Sequence, residues 1–322
     1  MTHRLPSVAF LFPGQGSQAI GMGKELAAMY PVAQQTFDEA DEALGYKLSQ
    51  VILEGPEDKL RLTEITQPAI LTVSVAAWRV LESIGLIPSY VAGHSLGEYS
   101  AHVAAGTLSF ADAVRTVRNR GKYMQEAVPV GVGAMAAILA LPLADIEVCC
   151  RAATKNGGVC EAANINSPDQ VVISGSKAEV ERAADACKEM GAKRAVMLPV
   201  SAPFHCALMQ PAQDRLAGDL KALTFNAPSV PVMCNVDAAP VTTSEAARDA
   251  LIRQVTGAVQ WEKSMRGFIA DGIDQFVEVG PGKVLCGLMR QIDRSKTCLN
   301  VEDEASLQKV KNHFSDGKSK PE

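Results

Sequence analysis

The chain has 322 residues but no C-x-x-C pair, no basic excess, no uninterrupted apolar run of membrane length and only five histidines. Each shortage removes a class of function. Its eight cysteines include the adjacent Cys149 and Cys150, a spacing that suits neither a zinc site nor a disulfide framework. Reduced thiols in the core of a cytoplasmic protein are expected instead. A net charge of −5 leaves no basic stripe to neutralise phosphates, which argues against a nucleic-acid partner. The first residues, Met1 to Ser7, are polar and lack the apolar stretch of a signal peptide. Ala127 to Ala144 is uncharged and almost long enough to span a bilayer, but Pro129, Gly131, Gly133 and Pro142 interrupt it. A loop leading into a buried strand is the better reading, and no membrane partner is expected.

What is present is the material of a soluble enzyme, 47% apolar and 21% charged, with enough chain for one large domain or two. Ser7 to Phe12 reads as an apolar strand running into Pro13-Gly14-Gln15-Gly16-Ser17-Gln18. Helical patterns follow to Leu81, with breaks near Gly45 and Gly55-Pro56, and Val91 to His94 supplies a second strand from which Ser95 opens a helix. Ser109 with Asp112 predicts the N-terminus of the next helix, to about Glu126. Short strands alternating with helices predict an α/β fold with a mainly parallel sheet. Between residues 129 and 199 the order changes to strand, helix, two strands, helix, strand, the ferredoxin-like βαββαβ pattern, with Ser176 and Glu179 as the second helix cap. A large domain is therefore expected over 1–128 and 200–307, a small subdomain over 129–199, and a polar tail over 308–322 that frays.

Gly93-His94-Ser95-Leu96-Gly97 closes the second strand and matches the G-x-S-x-G nucleophile elbow. There a sharp strand-to-helix turn lifts a serine hydroxyl clear of the backbone, and small neighbours permit the close approach of the chain. Ser95 is thus a candidate for covalent acyl transfer. Its base must be a histidine. His3 and His313 lie near the termini, His94 adjoins the serine and points away from it, and His102 sits two helical turns on. Elimination leaves His205, in the loop-like Pro199 to His205.

An esterase triad places an acid between Ser and His, yet Asp112, Asp145, Asp169 and Asp185 occupy no obvious post-strand loop of the large domain. A Ser-His dyad oriented by a backbone carbonyl is favoured. Gly14-x-Gly16-x-x-Ala19 resembles a dinucleotide fingerprint, but Pro13, Gly21 and Gly23 spoil the helix start it needs. The alternative is a loop that lies near Ser95 and offers N–H groups to an oxyanion. Arg115, Arg118, Arg120 and Lys122 crowd one helix; three of the four read as a solvated face, and one arginine directed inward would grip a carboxylate. Spacing does not choose which. Gly280-Pro281-Gly282 reads as a structural corner.

Together these segments resemble the malonyl-CoA:acyl carrier protein transacylases. The matching residues are Phe12 to Gln18, Gly93 to Tyr99, Arg120 to Gln125, Asn164 to Pro168, Pro203 to His205 and Val277 to Gly282, in family order over nearly the whole chain. The resemblance implies a hydrolase-like α/β core with a ferredoxin-like insertion, and it assigns roles. Ser95 is the nucleophile and His205 its base, oriented by the carbonyl of Gln254. Gln15 and Leu96 supply the oxyanion N–H groups, and Arg120 holds the malonyl carboxylate. Phe204 crowds a branched extender and, with Leu96, favours malonyl over methylmalonyl. Malonyl-CoA and acyl carrier protein are the implied partners, with no metal or redox cofactor, and the family is usually monomeric. The rival readings are a serine esterase or thioesterase on the same elbow, a polyketide-pathway acyltransferase, and a non-catalytic carrier-docking module.

Overall fold

The computed structural model describes residues 3–5, 7–200 and 202–316. In chain order its main strands are β1 (Val8–Phe12), β2 (Tyr90–Gly93), β3 (Gly133–Leu139), β4 (Cys160–Ser167) and β5 (Gln170–Ser176). They continue as β6 (Arg194–Met197), β7 (Val232–Met233), β8 (Pro240–Val241), β9 (Gln275–Val279) and β10 (Thr297–Val301). The helices used below are α1 (Thr63–Ser83), α2 (Gly97–Ala104), α3 (Phe110–Glu126), α4 (Leu143–Ala153) and α5 (Lys177–Glu189). After them come α6 (Ser244–Arg253), α7 (Trp261–Ala270), α8 (Val284–Ile292) and α9 (Glu304–Asp316).

A six-stranded sheet runs β8-β7-β2-β1-β9-β10, parallel except for the edge strand β8. Strand β1, Val-Ala-Phe-Leu-Phe, is buried at every residue, as a central strand covered on both faces must be. One face meets Phe37, Trp78 and the buried α1. The other meets Trp261, Met265, Phe268 and Leu288 of α7 and α8. The fold is thus α/β with helices on both sides of a mainly parallel sheet.

Strands β3 to β6 form a separate antiparallel sheet in the order β4-β5-β3-β6. Helices α4 and α5 cover one face through Ile138, Ile146, Ile173 and Val180. The opposite face carries Met135, Ala137, Ala163 and Val172 against Leu198, Val200 and Phe204. Two backbone bonds, Ile165 N–H to Val259 O (2.9 Å) and Val259 N–H to Ala163 O (2.8 Å), stitch β4 to the large core. That junction turns the apolar face toward the end of β2.

Several expectations are corrected. The serine does not itself begin the helix, because α2 starts at Gly97 with Leu96 as its N-cap. Ser109 caps α3 by accepting from the Asp112 N–H, but Ser176 accepts from the Val159 N–H and leaves α5 without a side-chain cap. The chain beyond Arg294 does not fray at Gln308, where the polar tail is expected to begin. It forms β10, paired with β9, and α9, whose Leu307 and Val310 are buried in the main core. Residues 317–322 of the expected tail lie outside the described residues. The thiols are not all reduced: Cys286 at the start of α8 and Cys298 on β10 form a disulfide, while Cys149, Cys150, Cys160, Cys187, Cys206 and Cys234 are free and buried. Packing of α8 beside β10 brings the two cysteines to a Cα separation of 5.3 Å, which their spacing of 12 residues does not announce.

Candidate active site

Ser95 sits at φ +52°, in the left-handed region that few non-glycine residues adopt. Its neighbours explain how the turn closes. A Cβ on Gly93 would lie 1.9 Å from the Gly97 carbonyl, and one on Gly97 would lie 2.0 Å from Phe12 O. A side chain at Gly93 would force the turn open from within, and one at Gly97 would push it off β1. Asn235, just beyond β7, braces the elbow from the side: its Oδ1 accepts the Ser95 N–H at 2.7 Å and its Nδ2 donates to Gly93 O at 2.7 Å.

The structure brings His205 to the serine, with Nε2 2.7 Å from Ser95 Oγ. Its Nδ1 faces two carbonyls, Gln254 O at 2.9 Å and Gly257 O at 3.2 Å. A carbonyl only accepts, so Nδ1 carries the proton and Nε2 offers its lone pair to the serine hydroxyl. Burial, and then the charge of Arg120, lower the imidazole to about 3, so the base is neutral at physiological pH. No carboxylate contacts this histidine among the described residues.

Arg120 projects inward from α3 and is 1% exposed. Its Nη1 donates to Gln67 Oε1 at 2.8 Å, and its Nη2 donates to Gln254 Oε1 at 2.9 Å and to Ser95 Oγ at 3.1 Å. Its buried Nε has no partner. All three acceptors are neutral, so the guanidinium is held in place with its charge uncompensated by direct contact. On the same helix Arg115 and Lys122 are exposed and pair with Asp112 and Glu126. Arg118 lies over the Tyr46 ring. Tertiary packing thus makes the choice among the four cations that spacing left open.

Gln254, at the end of α6, touches everything here. Its carbonyl orients His205, its Oε1 holds Arg120, and its Nε2 donates to Ser95 O (2.9 Å) and to Glu98 Oε2 (2.7 Å). The cleft above these groups has a volume of about 150 Å³ and is lined by Gln15, Leu96, Met124, Leu198 and Phe204 among others. The backbone N–H groups of Gln15 and Leu96 have no acceptor among the described residues. His94 turns away from Ser95 to Asn166 Oδ1, at 2.8 Å, and packs beside Trp261. Gln67, Asn235 and Glu98 escaped the reading of the sequence: each sits in an ordinary helical or loop pattern, and none carries a local signal of its partner.

A family model described as acyl transferase domain matches residues 9–318. The malonyl CoA-acyl carrier protein transacylase of Salmonella typhimurium is 53% identical over 300 residues, 93% of this chain and 97% of that protein. An acyl carrier protein S-malonyltransferase from Vibrio cholerae, solved as a crystal structure, superposes with a TM-score of 0.93 at 50% identity, covering 94% of this chain and 99% of its own. A malonyl-transacylase solved in complex with its type II PKS acyl-carrier protein gives 0.93 at 48% identity, covering 95% and 99%. With an elbow serine, its histidine and a buried arginine in one cleft, and with likeness along nearly all of the sequence, the chain belongs to the malonyl-CoA:acyl carrier protein transacylase family of acyl transferases.

Proposed function

We propose that the protein moves a malonyl group from malonyl-CoA to the phosphopantetheine thiol of an acyl carrier protein, supplying extender units for fatty-acid synthesis. The observation that carries this is Arg120. A buried cation 3.1 Å from the nucleophile, with neutral partners and an unpaired Nε, is suited to an acyl group that ends in a carboxylate. Malonyl places its carboxylate two bonds from the carbonyl under attack.

Ser95 Oγ attacks the thioester carbonyl as its proton passes to His205 Nε2. The imidazolium is held by Nδ1–H bonds to Gln254 O and Gly257 O. The oxyanion settles against the N–H groups of Gln15 and Leu96. Collapse breaks the C–S bond, the CoA sulfur takes the proton from His205, and a malonyl-serine ester remains. The carrier thiol then gives its proton to His205 and attacks the ester, and Ser95 recovers a proton as it leaves. A thioester enters and a thioester leaves, so the cycle needs neither metal nor redox group. A second cleft of about 540 Å³ shares Gln15 and Val200 with the first and offers a path for the pantetheine arm. Phe204 beside His205 would crowd an α-methyl branch and favour malonyl.

The protein is read as a cytoplasmic monomer; no helix among the described residues is long and apolar enough to cross a membrane. Intact mass spectrometry with malonyl-CoA, before and after holo carrier protein, tests the whole reading. A malonyl adduct on Ser95, absent from Ser95→Ala, that moves to the carrier is expected. An adduct lost equally fast without carrier would make the protein a hydrolase.

A further inference from the structure

Glu98 lies three residues past the nucleophile on α2, fully buried, and touches none of the reacting atoms. Its Oε2 accepts from the Asn235 backbone N–H at 3.0 Å and from Gln254 Nε2 at 2.7 Å. Its Oε1 has no hydrogen bond, and the nearest ionisable partner, His102 Nε2, stands off at 4.0 Å. Burying a carboxylate with half of its acceptor capacity unused is unfavourable, and an apolar side chain would fill the space without that cost. Packing alone therefore gives no reason for an acid here.

The amide of Gln254 supplies one. An amide can sit either way round, and its neighbours decide which. Here both of its N–H donors have acceptors, Ser95 O and Glu98 Oε2, which leaves Oε1 turned toward Arg120 Nη2 at 2.9 Å. Reversing the amide would set its oxygen against the serine carbonyl and the carboxylate together. Glu98 also lies one amide removed from Arg120, without being a direct ion-pair partner that would compete for the guanidinium.

We propose that Glu98 is a positioning residue: by fixing the Gln254 amide it keeps Arg120 aimed at the site of the acyl carboxylate, and so sets the preference for acyl donors that end in a carboxylate. The inference rests on the role given to Arg120 under the proposed function. It differs from that role in naming a residue that meets no substrate atom.

The test compares Glu98→Leu, which keeps the volume and removes the acceptor, with Glu98→Gln, whose amide oxygen can take the place of Oε2. Transfer to carrier protein from malonyl-CoA and from acetyl-CoA is measured for each variant, alone and with Arg120→Ala. Labelling of Ser95 by phenylmethanesulfonyl fluoride, a neutral reagent, reports the Ser95-His205 pair separately. Glu98→Leu is expected to lower the malonyl-to-acetyl ratio of kcat/KM by about tenfold or more, as loss of a buried charged hydrogen bond predicts, while Glu98→Gln stays within about threefold of wild type. In the Arg120→Ala background Glu98→Leu should lower the ratio no further, because both changes act on one contact. An additive loss, an equal loss on both donors and on sulfonyl fluoride labelling, or an unchanged ratio would each overturn the proposal. Glu98→Met is the second acceptor-free variant if Glu98→Leu does not fold. Wild-type protein that transfers acetyl but no malonyl would defeat the functional reading itself, a result distinct from an unchanged ratio in the variants.

Discussion

Arg120→Ala removes a guanidinium that is 1% exposed and hydrogen-bonded to Gln67, Gln254 and Ser95. For a malonyl donor the variant would leave a carboxylate in the cleft without its cation. Truncating one partner of a buried, hydrogen-bonded charge pair costs about 3–5 kcal/mol. An acetyl donor has no carboxylate to strand. It feels only the lost contact to Ser95 Oγ and a looser Gln254 amide, about 1–2 kcal/mol. The difference, about 2–3 kcal/mol, is a fall of about 30- to 150-fold in the malonyl-to-acetyl ratio of kcat/KM, at 1.4 kcal/mol per decade. The assay measures transfer from both CoA esters to the same holo carrier protein, with thermal unfolding run alongside. That control matters because Gln67 Oε1 and Gln254 Oε1 lose their donor in the variant. Added guanidinium ion should restore malonyl transfer more than acetyl transfer. Equal losses on the two donors would refute the clamp, since a general loosening of the cleft spares neither.

Phe204→Ser should raise methylmalonyl use relative to malonyl several-fold by opening the wall beside His205, and an unchanged ratio of the two CoA esters would remove Phe204 from the selectivity argument. Gly97→Ala should cost about 2–4 kcal/mol or prevent folding, because its Cβ would lie 2.0 Å from Phe12 O; a native Tm with normal labelling of Ser95 would show that the elbow has slack. In the pH profile His205, lowered to about 3, supplies no limb between about pH 6 and pH 8, whereas burial raises Glu98 to about 7 against the opposing effects of Gln254, Asn235 and Arg120. Arg120 from α3, Asp237 and Cys234 beside β7, and Tyr99 and His102 on its own helix are the groups that bear on Glu98. Above pH 7 the ionised Glu98 opposes a second carboxylate at Arg120, so the KM for malonyl-CoA should rise with pH there. Glu98→Gln should flatten that rise, and a rise that persists would assign it to another group. The same raised carboxyl contributes stability that is full below its unfolded value of 4.5 and lost as pH climbs through about 7, so the Tm gap between wild type and Glu98→Gln should change in that window.

What the sequence determined by itself was whatever is contiguous. The elbow is one such feature, because Gly93, Ser95 and Gly97 meet each other and the end of β1 within a single turn, and a backbone that tight restricts the residues that can build it. The βαββαβ order and the capped start of α3 at Ser109 are others, fixed by alternation, helical period and a bond across three residues. His205 could be singled out by elimination among few histidines, though its distance from Ser95 could not. Tertiary structure decided the rest. Which of four cations on α3 turns inward depends on what packs against each face of that helix. Gln67, Asn235, Gln254 and Glu98 come from four separate segments, and a glutamine in a helix looks the same whether it faces water or an arginine. The stretch from Gln308 reads as a polar tail, yet it continues the helix α9, which places Leu307 and Val310 in the main core beside β10. The Cys286–Cys298 bridge depends likewise on α8 coming to rest beside β10. Local backbone geometry leaves its mark on neighbouring residues, whereas a partner more than a hundred residues away leaves none until the chain has closed around it.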